Sequence, residues 1–222
     1  MEYFQKNLFD LVDHDIFIHT YTINTHYINA WSGEDIEHYP NEEYMILKAK
    51  YILIENQEEV IDTIDFSAYH TNLGGWDFKR TPEFTKYLIR NMILSFRSKR
   101  KITELLKENK DNYTHVIFLR PDLRITKPIN MKLLSKLNDS NVILPSIDWW
   151  SGVNDKLCIA TINVGLQIGC FFDELLEYST KKSINSEIFM ADMFTRHKLK
   201  ILREEIKYET IRLNSTHLSN PM

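Results

Sequence analysis

Apolar and polar residues alternate along this chain with two periods, and each switch between them predicts an element. Phe4, Leu8, Leu11 and Val12 recur at helical spacing and predict an opening helix. "DIFIHTY" (Asp15 to Tyr21) alternates and is rich in branched and aromatic residues, so it predicts a strand. A helix in "NEEYMILKA" leads to a second strand, "KYILIENQ", Lys50 to Gln57. "VIDTIDFSAYHTNLGGWDFKR" contains Gly74-Gly75 and little periodicity, which predicts a loop-rich excursion. Thr81-Pro82-Glu83 then combines a cap residue, proline at the first helical position and an acid in the first turn, and starts a long helix to about Lys110. The run Val116 to Leu119 predicts a buried strand. Beyond it come a helix near Met131 to Leu137, a strand "NVILPS", an aromatic loop "IDWWSGVND" and an apolar piece "KLCIATI". Helices at Gln167 to Tyr178 and Ser186 to His197 precede a last strand, "LKILREEIKYETIRL".

Strands that alternate with helices predict an α/β sandwich with a mainly parallel central sheet, and 222 residues suit a single domain over 1–222. In such folds ligands bind beyond the carboxyl ends of the strands. That places Arg120-Pro121-Asp122, which cuts off the strand Val116 to Leu119, on the functional rim. Proline cannot donate to a sheet ladder, so Pro121 ends the strand and fixes where Asp122 is presented. A carboxylate held there suits Mg²⁺ or Mn²⁺ shared with a substrate phosphate, and Arg120 offers a fork for a diphosphate. The plainer alternative is that Arg120 and Asp122 only cap the strand and pair with neighbours.

Composition narrows the function further. At 43% hydrophobic, 12% aromatic and 26% charged, the chain is that of an ordinary globular protein. A net charge of −4 argues against bulk attraction to nucleic acid, so any phosphate is recognised locally. Cys158 and Cys170 are too few for a disulfide framework and lack zinc-site spacing, which points to reduced thiols in a cytoplasm. No apolar run reaches the ~18 to 20 residues of a membrane span, and the acidic, amphipathic N-terminus is unlike a secretory leader.

In "DWWSGVND", Trp149 and Trp150 stand beside Asp148, Asn154 and Asp155, and aromatic faces with adjacent polar groups suit a sugar ring; equally, one of the tryptophans closes over the sheet as core. His19, inside a strand, reads as a satisfied core histidine.

"VDHDIFIHTY", "YILIENQ", "YTHVIFLRPDL", "ILPSIDWWSGVNDKLCIAT" and "NSEIFMADMFTRHKLKILR", in that order, resemble a group of viral and bacterial glycosyltransferase-like proteins with a GT-A nucleotide-sugar fold. The resemblance covers about Val12 to Leu213. It implies a nucleoside diphosphate sugar as donor, a hydroxyl of a glycan or glycoconjugate as acceptor, and an Asp-X-Asp after the fourth strand that holds Mn²⁺ or Mg²⁺. Here Arg120-Pro121-Asp122 occupies that place and keeps only the last acid. The resemblance further implies nucleotide contacts around His19 and Thr20, a sugar or nucleotide contact at Asn154, and a late metal-ligating histidine at His217. It puts the base of an inverting transfer at Glu187, capped by Ser186, with Asp155 as the runner-up. Such relatives begin with an additional strand and a Gly-X-X-Arg segment, whereas this sequence starts at the helix that follows. A degenerate, non-catalytic carbohydrate-binding protein is the rival reading. A two-metal phosphohydrolase using Asp122 and Asp155 lacks the denser acid and histidine cluster that chemistry needs.

Overall fold

The computed structural model describes residues 2–29, 33–69, 82–150 and 152–212. The strands of the main sheet are built from the apolar runs. Strand β1 (Phe17–Thr22) is followed by a short hairpin, β2 (Tyr27–Asn29) and β3 (Glu34–Ile36), and by β4 (Tyr51–Asn56). Then come β5 (His115–Leu119), β6 (Leu123–Ile125), β7 (Asn141–Pro145), β8 (Leu157–Thr161), β9 (Lys200–Glu204) and β10 (Tyr208–Thr210). The α-helices are α1 (Glu2–Asn7), α2 (Gln57–Asp62), α3 (Pro82–Glu108), α4 (Ile162–Gly169), α5 (Phe172–Ser179) and α6 (Ser186–Arg196).

Four strands pair in the order β5-β8-β7-β9, while β1 and β4 form a parallel pair of their own. The expectation of a mainly parallel sheet is met only in part. β7 and β9 are parallel, but β8 runs antiparallel to both β5 and β7. The cause is the connection: residues 146–156, between β7 and β8, hold no crossover helix, and parallel neighbours need one.

Alternation along these strands divides the core in two. Val142, Leu144, Cys158 and Ala160 face one cluster with residues of α3, α4, α5 and α6. Ile143, Leu157 and Ile159 face the other, with Phe4, Leu8, Leu123, Ile125 and Tyr208. Both faces of the sheet are therefore covered, which explains why its strands are continuous apolar runs rather than alternating ones. The β1–β4 pair joins this body through α3 and at its own start. Phe17 packs edge-on to Tyr113, just ahead of β5, at 5.5 Å between ring centroids, and the Tyr113 hydroxyl donates to Asp15 at 2.6 Å.

Several boundaries differ from the sequence reading, each for a local reason. The helix expected over 41–49 is a 3₁₀ turn, Glu43–Leu47, closed by Lys48 in the left-handed region at φ 48°. The helix expected at 131–137 is likewise 3₁₀, Met131–Lys136, capped by Asn130, whose side chain accepts from the Lys132 N–H at 3.1 Å. The helix expected over 167–178 is two helices. α4 ends at Gly169, where a Cβ would sit 1.7 Å from Thr103 Oγ1 of α3, and this close helix contact ends one helix before Phe172 starts the next. The last strand is also two: β9 pairs with β7, the chain turns at Glu204–Ile206, and β10 pairs with β6.

Candidate functional site

The antiparallel course of β8 decides what gathers at the rim. It brings the residues before β8, Asn154 to Lys156, to the same end of the sheet as the residues after β5. The Arg120 N–H bonds the Lys156 carbonyl at 3.1 Å and ties the two together.

Asp122 is held between two guanidiniums. Arg120 donates from Nε to Oδ1 at 3.0 Å and from Nη2 to Oδ2 at 2.5 Å, and Arg212 donates from Nη1 to Oδ2 at 3.0 Å. Burial pulls the Arg120 pKa down, but the Asp122 carboxylate outweighs it and holds the guanidinium firmly charged. Next to this pair, Lys156 donates to Asp148 at 2.6 Å and the Tyr208 hydroxyl donates to the same oxygen at 2.9 Å. Asp148 occupies the left-handed region at φ 58°, a conformation in which aspartate is among the tolerated residues.

Asn154 is 1% exposed and fully engaged. Its Nδ2 donates to the Ile147 carbonyl at 2.9 Å and the Tyr208 hydroxyl at 2.5 Å, while Oδ1 accepts from the N–H groups of Lys156 and Leu157. With both donors and both lone pairs used, it shapes the loop. The two tryptophans differ in burial, and Trp149 packs against the core as foreseen for one of them. Trp149 donates to the Pro145 carbonyl at 2.6 Å, and its ring lies 3.6 Å from the Arg203 guanidinium carbon, as part of the core boundary. Trp150 is 68% exposed and is the aromatic face that the rim offers.

Asp155 and Glu187 are brought to one junction. Asn185, rather than Ser186, caps α6, its Oδ1 accepting from the N–H groups of Glu187 and Ile188. The Glu187 carbonyl in turn accepts from the Val153 N–H at 3.2 Å. Gly152 makes this approach possible, since a Cβ there would lie 2.3 Å from the Glu187 backbone. Lys99 of α3 spans the same junction. Its Nζ donates to the Asp155 carbonyl at 3.3 Å, lies 4.0 Å from Met190 Sδ on α6 and sits 4.9 Å from the Phe96 ring. Burial draws the Lys99 pKa down, partly offset by Asp155.

His19 and Thr20 lie on β1, in a separate polar network. The His19 side chain is 1% exposed, with Nδ1 bonded to Ser98 Oγ at 2.7 Å and Nε2 to Glu55 at 2.8 Å. Arg97 pairs with both Glu55 oxygens and drives its pKa down to about 2. Ser98–His19–Glu55 has the connectivity of a nucleophile, base and acid, yet Ser98 is mid-helix, where backbone N–H groups are spent on the helical ladder and none is left to form an oxyanion hole. The network is structural. Thr20, by strand alternation, faces the opposite way from His19.

Acid stability follows from this network. The Glu55 carboxylate titrates near 2 instead of 4.5, so its contribution is complete above about pH 4.5 and is lost as pH falls toward 2. Burial also lowers the His19 pKa from 6.5, so acidification below that value weakens the fold in the same direction. Melting temperature against pH should fall below about 6.5 and steepen below 4.5; in Glu55→Gln the curve should start lower and have a shallower acid limb, the remainder coming from carboxylates such as Glu174 and Asp192 whose pKa values are also lowered.

His217 lies outside the described residues. Among the described residues no group of three or more His, Cys, Asp or Glu side chains is placed to hold a metal ion. Both oxygens of Asp122 already accept from guanidiniums and no second carboxylate joins it in a metal-holding group among the described residues, so the donor set present does not fit the ion that the Asp-X-Asp resemblance implies.

Lys99, Lys156, Tyr208 and Arg212 were not anticipated. For Lys99 a signal existed: Met92, Phe96, Lys99, Thr103 and Leu106 follow one helical stripe, which makes Lys99 a cation on a buried face rather than part of the solvated run Arg97 to Lys101. Among the described residues no helix is long and apolar enough to cross a membrane. Comparison of the chain with protein families, with curated proteins and with solved structures finds no match in any of the three.

Proposed function

We propose that this chain is a glycosyltransferase that moves a sugar from a nucleoside diphosphate donor to a hydroxyl of a glycan or glycoconjugate, on a GT-A-like fold. The observation that carries the reading is the convergence, at one end of the mixed sheet, of Arg120, Asp155, Lys99 and the first turn of α6 with Glu187. Ligands of α/β folds bind at that end. In the proposed reaction, Glu187 takes the proton of the acceptor hydroxyl as its oxygen attacks the anomeric carbon. The bond from that carbon to the diphosphate oxygen breaks, and the negative charge left on the diphosphate is met by the cations of the rim. Trp150 supplies an apolar face for a sugar ring.

A second reading, a carbohydrate-binding protein without turnover, is favoured by one observation, the engagement of Asp122 by two arginines. A thermal-shift panel of nucleotide sugars separates the readings. Transfer predicts that one donor raises the melting temperature, by about 2.7 kcal/mol of added stability at 100 times its dissociation constant. If every nucleotide sugar leaves the melting curve unmoved while a free glycan shifts it, the transferase reading is wrong.

A further inference from the structure

We infer that this rim binds a diphosphate directly, through Lys99, Arg120 and Arg212, with these side chains in the place of a divalent ion. The inference rests on the transferase reading for the identity of the diphosphate, but the anion site is argued from charge alone. Asp122 is one carboxylate shared by two guanidiniums, Arg120 and Arg212. Asp148 is matched by Lys156. Lys99 has a backbone carbonyl, a thioether and an aromatic face as neighbours, and no carboxylate in ion-pair contact among the described residues. The Asp155 carboxylate also acts on both Lys99 and Arg120, so four cations, Lys99, Arg120, Lys156 and Arg212, stand against the three carboxylates Asp122, Asp148 and Asp155. Lys99 is partly withdrawn from water, beside the buried Phe96 on α3. A partly desolvated cation with no ion-pair contact is costly, and an anion that enters the site relieves the cost.

The chemistry of the groups selects the anion. Guanidiniums engage phosphate oxygens two at a time, and an ammonium adds a compact charge. Lys99 Nζ donates to the Asp155 carbonyl and the Arg120 N–H to the carbonyl of the next residue, Lys156, so the two cationic residues flank one stretch of backbone where two adjacent phosphates would meet both. A divalent cation meets the opposite situation. It would enter beside two guanidiniums and an ammonium, at a carboxylate whose two oxygens already accept from those guanidiniums.

The test is calorimetric titration of the full chain with inorganic pyrophosphate, in EDTA and again in Mn²⁺. The expected result is binding in EDTA at an affinity within about threefold of that in Mn²⁺. Lys99→Met and Arg212→Gln should each weaken it by tenfold or more, with a cooperative melt showing that the variants fold. Asp122→Asn, which releases the guanidiniums, should keep or tighten binding; a metal ligand at that position would make the same substitution abolish it. Binding that requires Mn²⁺, or that vanishes in Asp122→Asn, or that ignores both Lys99→Met and Arg212→Gln, overturns the inference. The two proposals fail separately. If nucleotide sugars bind only with Mn²⁺, the transferase reading stands and the metal-free site falls. If pyrophosphate binds in EDTA but no nucleotide sugar does, the anion site stands and the transferase reading falls.

Discussion

Glu187→Gln should cut sugar transfer by the ~10² to 10⁴ that loss of a general base costs, and leave donor binding unchanged. The expectation rests on separation of tasks. Glu187 opens α6, where Asn185 already caps the helix, so its carboxylate is not needed for capping. The cations proposed to meet the diphosphate stand on α3, after β5 and after β10, and none of them changes in this variant. Gln keeps the size of the side chain and one acceptor oxygen, so the variant isolates the proton-accepting role. Asp155→Asn is the matched comparison, because Asp155 belongs to the loop bonded to the Glu187 backbone through Val153. Turnover measured for both, with donor affinity measured alongside, assigns the base. If Asp155→Asn silences transfer and Glu187→Gln does not, the roles are reversed; if neither matters in a protein that binds a donor, the binding-protein reading gains.

Gly152→Ala should damage stability and site together. A Cβ at this position would lie 2.3 Å from the Glu187 carbonyl carbon and oxygen and 2.6 Å from the Ile188 nitrogen. These are backbone atoms of a capped helix turn, so no side chain can move aside. Either the loop lifts off α6 and gives up the Val153 to Glu187 hydrogen bond, or α6 shifts in the core beneath Phe189 and Met190. Overpacking of this kind costs about 1–3 kcal/mol. Gly165 offers the contrast, since a Cβ there meets side-chain atoms of Val116, Cγ2 at 2.8 Å and Cβ at 2.9 Å, and Val116→Ala would remove the first of these contacts. Denaturant unfolding of Gly165→Ala with and without Val116→Ala, beside Gly152→Ala, checks the difference. Partial rescue is expected for the Gly165 pair, and Gly152→Ala that unfolds like the unsubstituted protein would show that the loop does not depend on this contact.

The apolar runs were sufficient to locate β7 and β8, which are buried on both faces, and the half-buried edge strand β5, because such strands have few polar positions to obscure them. The long helix α3 was legible from its proline start and its periodicity. Short elements were not. The β2–β3 hairpin, β6 and α2 are three to six residues long, too short for a period to register; β6 exists because β10, distant in sequence, pairs with it, while the hairpin and α2 rest on local pairing and the Asn56 cap.

A mixed α/β chain, Arg120 to Asp122 at the end of a strand and acids at 155 and 187 could all be read from the linear pattern. How these groups meet came from the folded packing. The strand direction of β8, which no local period encodes, turned Asp155 and Lys156 toward the end of β5. Arg212, 90 positions along the chain from Asp122, closed on its carboxylate, and the packing of α3 against α6 turned Lys99 from one member of a basic run into a partly desolvated charge. Charge pairing and burial depend on distances between residues far apart in the chain. A linear pattern fixes which residues are available to such a site, and the packing of the strands and helices fixes which of them meet.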